Sequence, residues 1–122
     1  MIIVDTSVWV DHLKVGDPGL TALLETGRVL AHPFVTGEIA LGSLRQRSAV
    51  LGALRDLPQA MLARDEEVIM FIESRKLYAI GIGYVDAHLL ASAQLTPGTT
   101  IWTRDRRLRV ASARLQLSAD LA

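Results

Sequence analysis

The chain opens on a short apolar run rich in β-branched residues, Met1 to Val4, that stops on Asp5; near its far end a second run, Thr99 to Thr103, stops just before Asp105. Runs this short and this apolar read as buried strands rather than helices. Almost everything between them has helical spacing. Strand passing straight into helix, more than once, argues for an α/β sandwich around a mostly parallel sheet.

The helices are marked by their ends. Thr6 or Ser7 can cap one that runs to about Lys14, with Val8, Trp9 and Leu13 on one side. Asp17-Pro18 opens a second, carrying Leu20, Leu23 and Leu24 and closed by Gly27, so cap, N1 proline and terminal glycine are all in place. After a short strand over Arg28 to Ala31, Pro33 opens a third helix with Phe34, Val35, Ile39, Leu41 and Leu44. A fourth spans Ser48 to Leu57 and ends before Pro58; Gln59 to Leu62 is ambiguous, with a third strand as one reading. Asp65 to Leu77 carries Val68, Ile69 and Ile72 behind an acidic first turn that suits the helix dipole. Gly81 and Gly83 mark a loop before a helix from about Tyr84 to Leu95, ended by Thr96-Pro97-Gly98. Arg106 to about Leu115 is the last helix, and the tail from Gln116 to Ala122 has no pattern that places it.

At 122 residues, half of them apolar, the chain reads as a single domain, 1–122, with enough apolar surface for its own core. It has no cysteine, which excludes thiol catalysis, disulfides and thiolate zinc sites and fits a reducing compartment, so the expected location is the cytoplasm. The opening run is too short for a signal peptide and no stretch approaches a membrane span. Thirteen basic residues balance thirteen acidic ones, so no global field draws in nucleic acid. Eleven of the bases are arginine, and Arg104, Arg106, Arg107 and Arg109 crowd together. That local cluster can contact phosphate through forked hydrogen bonds.

In such sheets ligands bind beyond the carboxyl ends of the strands. Asp5 ends the first strand and Asp105 stands just past the last; Glu38 and Asp86 fall in early turns of helices that start from that edge. Asp86 shares its helical face with Leu89, Leu90 and Ala93, and Glu38 shares one with Phe34 and Leu41, which places both acids at the mouths of apolar stripes. Partly buried charges are costly unless compensated. No lysine or arginine sits at an obvious pairing position beside Asp5 or Asp86, so a divalent cation is the simplest compensator. An oxygen-only donor set favours Mg²⁺ or Mn²⁺ over zinc. His12, His32 and His88 lack metal-ligand spacing and stay outside the expected site. Acids with arginines alongside suggest phosphodiester hydrolysis.

At these residues the chain resembles the PIN-domain family, and more narrowly the VapC toxins of bacterial toxin–antitoxin pairs. The resemblance rests on Ile2-Ile3-Val4-Asp5-Thr6-Ser7, on Glu38 in its helix, on Asp86-Ala87-His88-Leu89-Leu90-Ala91-Ser92-Ala93, and on Thr103-Arg104-Asp105-Arg106-Arg107-Leu108. It implies a PIN-like three-layer α/β/α sandwich and a Mg²⁺- or Mn²⁺-dependent endoribonuclease in which Asp5, Glu38, Asp86 and Asp105 bind the metal and activate water. It further implies cleavage of structured RNA such as tRNA or rRNA, a homodimer, and a cognate VapB-type antitoxin. Thr6 and Thr103 match hydroxyl positions of the family motif and would support the acids.

Taken singly, each feature has a plainer reading. Asp5, Asp86 and Asp105 are each well placed as helix caps, Glu38 as an exposed acid, the arginines as a solvated face, and Trp9 and Trp102 as core. A phosphatase with Asp5 as nucleophile commonly needs a second Asp two residues on, where this chain has Ser7. No P-loop motif occurs. An RNA-processing nuclease or a non-catalytic RNA-binding module are the remaining alternatives.

Overall fold

A computed structural model describes residues 1–122. The elements follow in the order β1 (Ile2–Val4), α1 (Thr6–Val15), α2 (Pro18–Glu25), β2 (Val29–Leu30), α3 (Pro33–Ala40), α4 (Arg47–Asp56), α5 (Asp65–Arg75), α6 (Tyr84–Leu95), β3 (Thr100–Trp102) and α7 (Arg106–Arg114). The expected α/β architecture around a parallel sheet is what forms. The strands lie in the order β2-β1-β3, with Ile2 opposite Val29 and Thr100, and Val4 opposite Trp102. Because all three run the same way, their carboxyl ends share one edge. Asp5, Thr103 and the Ala31-His32 pair leave the sheet there.

β1 is central, and Ile2, Ile3 and Val4 are all buried, which is why it reads as an uninterrupted apolar run rather than an alternating one. Ile3, Leu20, Leu89, Leu90, Ile101 and Leu108 are the largest fully buried aliphatics and bind α2, α6 and α7 to the sheet. Trp9 and Trp102 are core residues, as their plainer reading had it. A smaller cluster of Ala63, Val68, Ala87 and Ala91 seats α5 on α6 through short side chains.

Both segments without a firm assignment lie along the outer edges of the sheet. Ala31 bridges Gln59 in parallel, with Ala60 N–H donating to the Ala31 carbonyl at 2.7 Å. Ile101 bridges Ser118, and Leu117 is buried, so the tail flanks β3 instead of trailing into solvent. Each contact is a single bridge, too short to leave a period in the sequence.

Three local expectations are corrected. α1 starts one residue earlier than a Thr6 cap requires and two earlier than a Ser7 cap does: Asp5 is its N-cap by backbone, yet its side chain caps nothing. α3 stops at Ala40 just before Leu41-Gly42, so Leu41 stands 89% exposed and shares no core stripe with Glu38. On α5, Val68 and Ile72 face inward while Ile69 turns to solvent, because adjacent helical residues lie about 100° apart. No helix is long and apolar enough to cross a membrane.

Candidate active site

The end of β1 delivers Asp5 to the carboxyl edge as a buried acid. Its Oδ2 accepts hydrogen bonds from Thr103 Oγ1 at 2.8 Å and Ser7 Oγ at 2.9 Å. Thr103 is there because β3 pairs with β1 and the two end level, Val4 opposite Trp102, and Asp5 N–H prolongs that ladder to the Trp102 carbonyl at 2.9 Å. Each hydroxyl has one proton to give. Thr103 gives its proton to Asp5 and accepts from Asp105 N–H at 3.0 Å; Ser7 gives its own to Asp5 and accepts from Arg104 N–H at 3.0 Å. The two hydroxyls thus join the first acid to the loop that bears the fourth.

Glu38 lies in the second turn of α3, not an early one, and is exposed. Thr6 Oγ1, at the first residue of α1, donates to its Oε1 at 2.7 Å. Asp86 sits in the first turn of α6 and is half-buried; its Oδ2 reaches back to accept Gly83 N–H at 2.9 Å. Asp105 is exposed and is the N-cap of α7, with Oδ1 accepting Leu108 N–H at 2.9 Å. Its capping role, one of the two weighed from sequence, is present in full.

The electrostatics tie these four positions together. Burial pushes the Asp86 carboxyl above the ordinary carboxylate range; the Gly83 N–H opposes the shift, and the charges of Asp5, Asp105 and Glu38 add to it. No lysine, arginine or histidine forms an ion pair with any of the four. Each acid has one oxygen engaged by a hydroxyl or backbone N–H and a second to which no protein group donates. No three of them close into a ready-made cage for an ion. An open, all-oxygen arrangement suits Mg²⁺ or Mn²⁺, since Mg²⁺ keeps several waters and takes one or two carboxylates together with substrate phosphate.

The arginines divide sharply. Arg104 is consumed by the fold: its guanidinium pairs with Asp11 at 2.8 Å and with Asp17, its Nε donates to the Ala122 carbonyl, and it lies over the Trp102 ring. Arg109 donates to the Thr103 carbonyl at 3.1 Å, which braces the strand end. Arg106 and Arg107 are exposed, have no acidic partner, and line a cavity of about 240 Å³ together with Ile80, Val110, Ala111 and Arg114. Arg107 lies against Gly81, where a Cβ would come within 2.8 Å of its guanidinium.

The Gly83 N–H that holds Asp86 and the ion-paired fate of Arg104 carry no signal in the sequence. Both depend on contacts between segments distant in the chain or on backbone groups, neither of which has a residue-type signature. Ser7 is legible from sequence only as a cap.

Fold and site together define a class. The chain belongs to the PIN-domain family: the family's PIN domain matches residues 2–113, which contain all four acids. Within that family it is similar to Ribonuclease VapC32 of Mycobacterium tuberculosis, in strains CDC 1551 / Oshkosh and ATCC 25618 / H37Rv alike. The identity is 45% over 113 residues, covering 93% of this chain and 91% of the relative.

Proposed function

We propose that this chain is a Mg²⁺- or Mn²⁺-dependent endoribonuclease and the toxin of a VapBC-type pair. The observation that carries the reading is Asp86: a half-buried carboxyl, pushed up by burial and by three neighbouring acids, with no protein cation to neutralise the group. Asp5, Glu38, Asp86 and Asp105 are the residues that would hold the ion, each through the oxygen left free. When bound, such an ion lowers the pKa of water and offsets the charge that builds on the scissile phosphate.

The protein's own contribution is orientation. Thr103 and Ser7 hold Asp5, Thr6 holds Glu38, and Gly83 holds Asp86, so each carboxylate meets the substrate already aimed. Arg106 and Arg107 are the free cations nearest Asp105 in the chain and would take the phosphates that flank the cleaved bond. An RNA substrate is supported by the similarity to Ribonuclease VapC32; tRNA or rRNA as its class, and a VapB-type antitoxin as partner, are what the family resemblance implies. A homodimer is what the family resemblance implies.

The test is digestion of total cellular RNA by the purified wild type and by Asp5→Ala, in Mg²⁺ and in EDTA, with the ends mapped. Discrete cuts that need both Asp5 and the metal are expected. Equal cutting by the variant, or full activity in chelator, sinks the assignment.

A further inference from the structure

Two of the three histidines, His32 and His88, are buried and both pack on the Phe34 ring, and neither belongs to the acid cluster. His32 is the N-cap of α3. Its Nδ1 accepts Phe34 N–H at 3.1 Å, which fixes the neutral ring's proton on Nε2. Nε2 lies 3.0 Å from Ser92 Oγ on α6, so the N–H donates across to that helix. Burial, and secondarily the His88 charge, bring His32 down to about 4, which keeps this tautomer the working form at neutral pH.

These contacts recur in an order. Going forward along α3, His32 meets Ser92, the Phe34 ring packs on His88 with centroids 4.5 Å apart, and Glu38 lies within electrostatic reach of Asp86. On α6 the partners descend in number, as in an antiparallel pair. Glu38 is six residues beyond His32 and Asp86 six before Ser92, about 9 Å of helix in each case. The first two contacts attract; the third is a repulsion between two acids.

We propose that the His32–Ser92 hydrogen bond is a strut that sets the spacing of α3 and α6 and thereby holds Glu38 against Asp86. His32 and Ser92 are positioning residues, and neither side chain bonds to any of the four acids. The catalytic part of this inference rests on the nuclease reading; the geometric part does not.

The two nitrogens of His32 have different tasks, and this makes the strut separable from the cap. Asn mimics the Nδ1 acceptor but is too short to reach Ser92; Gln mimics the Nε2 donor but lacks the capping atom. Ser92→Ala removes the strut and leaves the cap, in a residue well suited to a helix interior. Ser92→Thr restores the hydroxyl.

The experiment measures three quantities for wild type, Ser92→Ala, Ser92→Thr, His32→Asn and His32→Gln: kcat and KM for RNA cleavage, Mn²⁺ affinity by calorimetry, and amide NMR shifts at Glu38 and Asp86. In Ser92→Ala and His32→Asn, kcat is expected to fall about tenfold at unchanged KM, with weaker Mn²⁺ binding. The Glu38 and Asp86 amides move in those two variants. Ser92→Thr and His32→Gln stay close to wild type in kcat even where their melting temperatures drop. Unmoved Glu38 and Asp86 resonances in Ser92→Ala overturn the strut whatever the enzyme does to RNA, as does a loss of kcat that merely follows melting temperature across all four. A wild type that cuts no RNA overturns the nuclease reading instead, and the NMR comparison still decides the strut.

Discussion

Asp86 is the residue at which the fold works against itself. Burial and the negative charges of Asp5, Asp105 and Glu38 disfavour its ionised form, and one backbone N–H from Gly83 is all the protein supplies in return. Asp86→Asn keeps the shape and the bond to Gly83 while deleting the charge, so it is predicted to abolish RNA cleavage yet melt no earlier than wild type in chelator. Adding Mg²⁺ should raise the melting temperature of wild type more than that of the variant; equal shifts would place the ion elsewhere. His32 carries the opposite burden, as a cation-former held neutral. Its folded value of about 4 lies below the ordinary 6.5, so between those limits the unfolded chain takes a proton that the folded one refuses. The stability it contributes is therefore complete above about pH 6.5 and is lost as pH falls toward 4. Urea unfolding of wild type should lose about 2 kcal/mol more than His32→Gln between about pH 7 and pH 5. Parallel slopes for the two proteins would refute this assignment.

At the scale of elements, the acids are placed by helix starts, and Asp105 shows how the two tasks can be pulled apart. It caps α7 through Leu108 N–H, and asparagine caps as well as aspartate does. Asp105→Asn is thus expected to keep stability and lose activity, whereas Asp105→Ala should lose activity and about 1 kcal/mol besides, read by thermal or urea unfolding. If Asp105→Asn cleaves RNA normally, the residue is a cap alone. Gly81 has a φ of 85° and the Arg107 guanidinium pressed against it, so Gly81→Ala is predicted to cost about 1 kcal/mol or more and to raise KM for RNA by disturbing Arg107. The α3–α6 pair shows why weak contacts matter here. The Glu38 charge disfavours ionisation of Asp86 across the pair. A hydrogen bond contributes about 1 kcal/mol net and an aromatic contact about as much. The His32–Ser92 and Phe34–His88 contacts act against that repulsion. Helix boundaries marked by chemistry were legible: Asp17-Pro18, Pro33 and Thr96-Pro97-Gly98 all stand where helices begin or end. The end of α3 was not, because Leu41 and Leu44 continue the apolar count after the helix has stopped at Ala40.

For the molecule as a whole, the sequence disclosed the architecture because a parallel sheet gives every strand the same exit, and Asp5 and Asp105 both stand just beyond such exits. That edge brings Asp5, Glu38 and Asp105 within electrostatic reach of Asp86. The edge bridges at Gln59 and Ser118 lay below what period can reveal. So did the division of the arginines, since Arg104 is told apart from Arg106 and Arg107 only by Asp11 and Asp17 on α1 and ahead of α2. Formal neutrality has a consequence at this scale too. With 13 charges of each sign, RNA affinity should rest on few phosphate contacts, so its salt dependence should be shallow and lessen further in Arg106→Ala with Arg107→Ala. An unchanged salt slope in that double variant would remove these two residues from the RNA path.

The central claim, that four carboxylates at one sheet edge form a metal-dependent ribonuclease centre, is tested most directly by cleavage of one defined RNA by wild type and Asp86→Asn, each in EDTA and after Mg²⁺ or Mn²⁺ is restored. The account predicts site-specific cleavage by wild type with metal alone, and none by the variant in either condition while its melting temperature is retained. Cleavage by wild type that persists in EDTA, or cleavage by a folded Asp86→Asn at the wild-type rate, would contradict it.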